Sequence, residues 1–241
     1  MQKNIVIVGP TGSGKTGLAI DVALSLGGEV ISADSRAIYK GMDIGTAKPT
    51  EEEMRGVRHW GIDLVEPGER FTVADFKKYA LAAMADIRGR GKVPIIAGGT
   101  GLYVDALVYD YSFGDDVKKT YADRAEMGSE YMIIGIKWGK DVLRQRLSER
   151  ADKLFAQDII GETKRLVEKY GWGNQAMKSN IYPIVWRMMQ GEIDLEEAKR
   201  LFVFDDWHLA KRQMTWFARN KNIKWLGLDE AKNYIYNINN E

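Results

Sequence analysis

The chain contains no cysteine, which removes a disulfide framework, a thiolate nucleophile and any cysteine-based zinc site. That absence fits a reducing compartment, and a cytoplasmic protein is the expectation. No apolar run approaches the roughly 18–20 residues of a membrane-spanning helix, and the opening residues lead straight into a strand pattern instead of a secretory signal, so no membrane partner is expected. Only two histidines are present, His59 and His208, and neither has cysteine or carboxylate partners at metal-ligand spacing. Charge of one sign is also lacking, with 35 Lys+Arg against 34 Asp+Glu, so blanket attraction to nucleic acid is excluded while a local basic face is not. What remains is 241 residues with 45% hydrophobic and 29% charged side chains, the composition of one large globular domain spanning 1–241 with its own core.

Apolar, β-branched runs alternate with helical periodicity. Asn4 to Val8, Glu29 to Ala33, His59 to Val65, Val93 to Ala97 and Tyr131 to Trp138 read as strands. Between them, the spacing of Leu18, Ala19, Val22, Ala23 and Leu26 predicts a helix, as does Val73 to Gly89. Continuous apolar strands separated by amphipathic helices predict an α/β fold: a P-loop NTPase-like parallel sheet with helices on both faces. From Asp141 the pattern turns helical, over Asp141 to Lys169, around Pro183 to Met189 and over Leu195 to Phe217, followed by a short Ile223 to Leu228 strand. Residues 109–129 are weakly patterned and read as a surface excursion.

Gly9-Pro10-Thr11-Gly12-Ser13-Gly14-Lys15-Thr16 matches G-x-x-x-x-G-K-[ST] in full, between a predicted strand and a predicted helix. Glycines let backbone N–H groups converge on a polyanion, and the helix N-terminus adds the positive end of its dipole. Lys15 would neutralise phosphate oxygens, and the Thr16 hydroxyl suits Mg²⁺. The motif does not say which phosphate compound it holds.

The second strand ends in Asp34-Ser35. In a parallel sheet the C-terminal strand tips face the ligand crevice, so Asp34 faces whatever the phosphate loop binds, as a metal ligand or as a base. The plain alternative is an Asx turn or helix cap. Ile96 to Tyr103 repeats the arrangement, with a glycine turn and the hydroxyl of Thr100 at its tip. Residues 38–49 are too long for a simple connection and read as substrate contact.

Four stretches together resemble the tRNA dimethylallyltransferase (tRNA isopentenyltransferase) family: the loop Gly9 to Thr16, the run from Asp34-Ser35 through Ile38-Tyr39-Lys40-Gly41-Met42-Asp43-Ile44-Gly45-Thr46-Ala47-Lys48-Pro49, the Gly98 to Tyr103 loop, and Ala210-Lys211-Arg212-Gln213-Met214-Thr215-Trp216-Phe217. They cover about residues 4 to 226 in the family order. The resemblance implies transfer of a dimethylallyl group from dimethylallyl diphosphate to N6 of an adenosine beside the tRNA anticodon, with Mg²⁺ as cofactor. Thr11, Gly12, Ser13, Gly14, Lys15 and Thr16 would bind the diphosphate, with the metal on Thr16. Asp34 would accept the N6 proton and Thr100 would sit near the bridging oxygen. Arg150, in Arg146 to Asp152, matches the arginine that would steady the leaving group; its local alternative is a surface pair with Glu149 or Asp152. Lys48, Lys211, Arg212, Gln213 and Trp216 would contact the tRNA anticodon stem-loop, and a monomer is expected.

The residues themselves support an RNA-facing portion over about 175–226. Lys199, Arg200, Lys211, Arg212, Arg219, Lys221 and Lys224 stand against Asp205 and Asp206, with Trp207, Trp216, Phe217 and Trp225 interleaved. The alternative is that the aromatics are core and the charges a solvated helix face.

Three departures from the family pattern stand out. Arg36-Ala37 follows Asp34-Ser35 where the family has Met-Gln, Asn180-Ile181-Tyr182 replaces a Gly-Tyr pair, and only residues 109–129 occupy the place of a helical insertion. A P-loop kinase using Asp34 as base, a prenyltransferase acting on a free adenine nucleotide, and a non-catalytic RNA-binding protein are the rival readings.

Overall fold

The chain is described here by a computed structural model covering residues 3–111, 127–178 and 181–239. Six strands, β1 (Asn4–Val8), β2 (Glu29–Ser32), β3 (His59–Trp60), β4 (Pro94–Gly98), β5 (Tyr131–Ile136) and β6 (Lys224–Leu226), form one sheet in the order β3-β2-β4-β1-β5-β6, with every pairing parallel. The α/β expectation therefore holds. Parallel strands need both faces covered, and successive residues alternate between them. Ile5, Ile7, Val30 and Ile95 pack against α1 (Lys15–Leu26) and α9 (Leu228–Asn239). On the other face, Val6, Val8, Ile31 and Ile96 meet α3 (Val73–Gly89), α4 (Gly101–Val108) and Phe217.

A third apolar cluster joins α5 (Lys140–Phe155), α6 (Ile159–Tyr170), α7 (Tyr182–Met189) and α8 (Leu195–Phe217) to Met42. Here Glu162 of α6, nearly fully buried, accepts main-chain N–H bonds from Asp43 (3.0 Å), Ile44 (2.7 Å) and Gly45 (2.9 Å), and the Tyr182 hydroxyl donates to it at 2.8 Å. A buried carboxylate is tolerated only with such partners, and this one anchors the 38–49 segment to the helical half. Burial, with Glu162 alongside, pushes the Tyr182 hydroxyl well above its ordinary pKa.

The expected elements need four corrections. The strand read over His59 to Val65 ends at Trp60, because Gly61 takes φ +81° against the backbone of Ser32. Leu64 and Val65 then bond Ile38, and Tyr39 bridges Val65. The helix read over Asp141 to Lys169 is two, broken after Phe155; Asp158 caps the second by accepting from Gly161 N–H at 2.9 Å. The strand read over Tyr131 to Trp138 stops at Ile136, where Gly139 starts α5. The strand at Ile223 to Leu228 shrinks to three residues and Leu228 opens α9, whose Ala231 and Ile235 are spaced one helical turn apart on a buried face. The excursion at 109–129 falls mostly on residues 112–126, and Asn180 with its neighbour Ser179 likewise lies outside the described residues. Among the described residues no helix is long and apolar enough to cross a membrane.

Candidate functional site

Residues 9–16 leave the C-terminal end of β1 and enter α1, with Gly12 and Gly14 at φ +74° and +88°, conformations that side chains resist. The carbonyls of this loop are tied back. Arg146 Nε donates to Gly12 O at 2.7 Å and Trp138 Nε1 to Ser13 O at 2.9 Å, while the Arg146 guanidinium lies 4.8 Å from the Trp138 ring centroid. Neither residue carries a signal in the sequence, because an arginine on a polar helix and a tryptophan in a short β5–α5 connection say nothing until the loop they hold is known.

The Ser13 hydroxyl is fully buried and, among the described residues, has no hydrogen-bond partner, a costly state unless a ligand supplies one. Lys15 Nζ donates to Pro10 O at 3.2 Å. Its side chain keeps some open surface, yet the ammonium end is enclosed, and burial lowers its pKa to about 8 against the opposing pull of Asp34 and Asp206. The Ser13 hydroxyl lies beneath the loop, beside Gly9 and Ile136, whereas the under-compensated Lys15 ammonium lines the glycine cradle, as a site built for an anion requires. Thr16 is exposed at the first turn of α1.

Asp34 follows β2. Its Oδ1 accepts from Arg36 N–H at 2.8 Å, so the Asx turn weighed as an alternative is present, and no other hydrogen bond reaches this carboxylate among the described residues. The Thr100 hydroxyl, at the head of α4, accepts from Ser35 N–H at 2.9 Å and lies 3.2 Å from the Ser35 hydroxyl. These bonds join the tips of β2 and β4. One cavity of about 150 Å³ is lined by Lys15, Thr16, Asp34, Thr46 and Arg150, so the phosphate loop and the carboxylate share a chamber. It adjoins a larger cleft of about 890 Å³ between α5 and residues 43–54.

Arg150 makes neither of the local pairs considered for it. Its Nη1 donates to the Thr11 hydroxyl at 2.8 Å and pairs with Asp206 of α8, while Asp152 holds Lys199 and Glu149 accepts from Gln145. In the sequence Asp206 figures only as one of two acids within the basic stretch.

Of the residues expected to touch RNA, Lys211, Arg212, Gln213 and Trp216 share α8 with only the first two exposed, and Lys48 lines the chamber instead. Lys48 is withdrawn from the surface, its ammonium bonded to Tyr39 O, Asp43 and Asp63 with the side chain only 4% exposed. Gln213 accepts from Thr11 N–H at 2.7 Å and donates to Gly99 O at 3.1 Å, tying two loops of the chamber together. Trp216 lies over Gly101 and donates to Asp105, and Phe217 is core. Lys199 and Arg200 are held by acids, which thins the basic face. Lys211 and Arg212 remain exposed on α8, with the Lys211 ammonium 5.9 Å from the Trp207 ring.

A phosphate loop, an Asp-tipped second strand and a glycine turn tied to an AKRQ helix are a combination that can be compared with known proteins. The IPP transferase family model matches residues 37–130 and 114–221. A curated tRNA dimethylallyltransferase from Acetivibrio thermocellus is 36% identical over 291 aligned positions, covering 95% of this chain and 93% of that protein.

The chain belongs to the IPP transferase family.

Two solved IPP transferase structures agree along the whole chain. That of the tRNA isopentenylpyrophosphate transferase of Staphylococcus epidermidis superposes with TM-score 0.85 at 32% identity, covering 100% of both chains. The full-length enzyme of Bacillus halodurans gives TM-score 0.86 at 32% identity, covering 100% of this chain and 96% of that one. The Acetivibrio alignment is longer than this 241-residue chain, so that relative carries residues for which this IPP transferase has no counterpart. The two matched segments of the family model overlap at residues 114–130, within and just beyond the weakly patterned excursion.

Proposed function

We propose that the chain transfers a dimethylallyl group from dimethylallyl diphosphate to N6 of an adenosine beside the tRNA anticodon. The observation that carries this reading is the shared chamber of about 150 Å³, which the glycine loop with its enclosed Lys15 ammonium and the Asp34 carboxylate line together. Ser13, Gly14, Lys15 and Thr16 would hold the diphosphate, with Arg150 against it from α5. The C1–O bond breaks with its electron pair passing to the diphosphate, and the C1–N6 bond forms. Lys15 and Arg150 stabilise the charge that grows on the leaving oxygens. Asp34 accepts the proton that N6 loses, since an exocyclic amine is a poor nucleophile without a base. Thr100 holds the Asp34-Ser35 turn in register with the leaving group.

Mg²⁺ fits as the cofactor on the donor set present. Among the described residues there is no cluster of three acidic or histidine ligands, and Mg²⁺ commonly binds through one protein oxygen plus phosphate oxygens and water. The exposed Thr16 hydroxyl is that oxygen, and the ion would supply further neutralisation of the diphosphate.

The base must leave the anticodon loop stack to enter such a chamber, and Lys211 and Arg212 on the outer side of α8 would grip the neighbouring phosphates. The chain would act as a monomer, and a tRNA substrate supports a cytoplasmic site of action.

Incubation with labelled dimethylallyl diphosphate, Mg²⁺ and an unmodified anticodon stem-loop tests the reading, with adenosine monophosphate and ATP as separate arms. Label on the stem-loop adenosine is expected. Label on the mononucleotide alone, or phosphoryl transfer from ATP, would replace this function with one of its rivals. Asp34→Ala should keep diphosphate binding and lose transfer by about 10²-fold or more, the usual contribution of a general base.

A further inference from the structure

We propose that Asp206 is a positioning residue that holds the Arg150 guanidinium over the phosphate loop, so that Arg150 meets the departing diphosphate from a fixed geometry. The proposal rests on the reading above, in which Arg150 faces the diphosphate, and adds a residue that the phosphate-loop motif does not contain.

Arg150 sits among carboxylates it does not use. Asp152, two residues on, is taken by Lys199 at 2.9 Å, and Glu149 accepts from Gln145 at 2.9 Å. The guanidinium instead reaches Asp206, 56 positions away on α8. The same Nη1 donates to the Thr11 hydroxyl, and the ring of Phe202, one turn before Asp206, lies 5.5 Å from the guanidinium carbon. Three contacts from two elements therefore fix a side chain that is otherwise among the most rotamer-rich.

Asp206 itself is only 7% exposed. A carboxylate in that position costs stability unless it is paired, and burial pushes its pKa up while Arg150 pulls it down. A negative group beside an anion site also repels the anion. A carboxylate that exists merely to fold the chain would have been cheaper elsewhere; here its charge is placed where it weakens ground-state attraction for the diphosphate and aligns the cation that meets the charge formed on departure. Effects that appear only as the leaving group forms raise kcat, whereas uniform attraction lowers KM alone.

The test is a double-mutant cycle between Asp206→Ala and Arg150→Ala in the full chain, with Asp206→Asn as the conservative variant. Transfer to the anticodon stem-loop gives kcat and the donor KM, and calorimetry with inorganic pyrophosphate gives anion affinity. Asp206→Ala should lower kcat about tenfold with donor KM unchanged or reduced, and Asp206→Asn, which keeps an acceptor oxygen, should lose less. In the Arg150→Ala background, Asp206→Ala should change kcat by less than about twofold, because coupled residues are non-additive. An unchanged kcat in Asp206→Ala, or losses that multiply in the double variant, would overturn the positioning role. Should Asp206→Ala not fold, Asp206→Asn decides alone: a lowered kcat without a raised KM supports the role, and wild-type kcat rejects it. Wild-type kcat and pyrophosphate affinity in Arg150→Ala would instead remove Arg150 from the diphosphate, and the inference with it, while leaving the transfer reaction standing.

Discussion

Gln213 Oε1 accepts the main-chain N–H of Thr11 at 2.7 Å, across 202 positions of sequence, while its amide nitrogen donates to Gly99 O. One side chain of α8 thus closes the rim between the loops that follow β1 and β4. Gln213→Ala should lower transfer about tenfold and raise the donor KM, since two main-chain groups lose partners worth about 1 kcal/mol each. Affinity for the anticodon stem-loop, read by filter binding, should stay within about twofold; a larger loss would return Gln213 to the RNA surface.

Lys15 gives a pH signature. Its pKa stands at about 8 in the free protein, and a bound diphosphate favours the charged form, so the pKa rises on binding. Below about pH 8 the ammonium is charged in both states and affinity is flat in this group. Above it, binding takes up a proton, and affinity falls by up to about tenfold per pH unit. Calorimetry with dimethylallyl diphosphate, whose own ionisations are complete below pH 9, in two buffers of different ionisation enthalpy should show proton uptake near pH 9. A binding heat independent of buffer there would contradict the lowered pKa.

Lys211 and Arg212 are the exposed cations of the AKRQ segment. Replacing both with alanine should weaken stem-loop binding and reduce the slope of log affinity against log salt by about 1 to 2, leaving pyrophosphate affinity unchanged. An unaltered salt slope would move the RNA contact off this side of α8.

Glu162 accepts four hydrogen bonds in the interior, three of them from consecutive residues 43–45. Glu162→Ala should destabilise by about 3 kcal/mol or more in urea unfolding, because it strands buried donors, and should speed hydrogen exchange at 43–45 before elsewhere. Tyr182→Phe removes one of the four donors and should cost about 1 kcal/mol. Equal losses from the two variants would mean that the anchor rests on the Tyr182 hydroxyl and not on the three main-chain bonds to the carboxylate.

Periodicity made the sheet and its cover readable: the Asn4 to Val8 strand, the Val73 to Gly89 helix and the Leu195 to Phe217 helix stand where alternation and 3.6-residue spacing put them. The phosphate loop was readable too, because its chemistry is local and its spacing is fixed by backbone geometry. Pairings across the chain were not. A pattern tells which face Asp206, Glu162 or Gln213 occupies, but nothing in it says that Arg150, the 43–45 amides or Thr11 waits opposite. Lys48 shows the converse: a lysine in a polar, glycine-punctuated loop reads as open to a ligand, yet three oxygens enclose its ammonium. The break between α5 and α6, where Asp158 caps the second helix, was hidden by apolar spacing that runs through it.

Helix α8 is 23 residues of uninterrupted hydrogen-bonded backbone. Arg212 turns outward and Gln213 inward, with one peptide unit between them. No break in α8 separates the exposed Lys211 and Arg212 from the rim that Gln213 closes. The outward cations and the inward amide that closes the rim are thus carried by a single continuous helix.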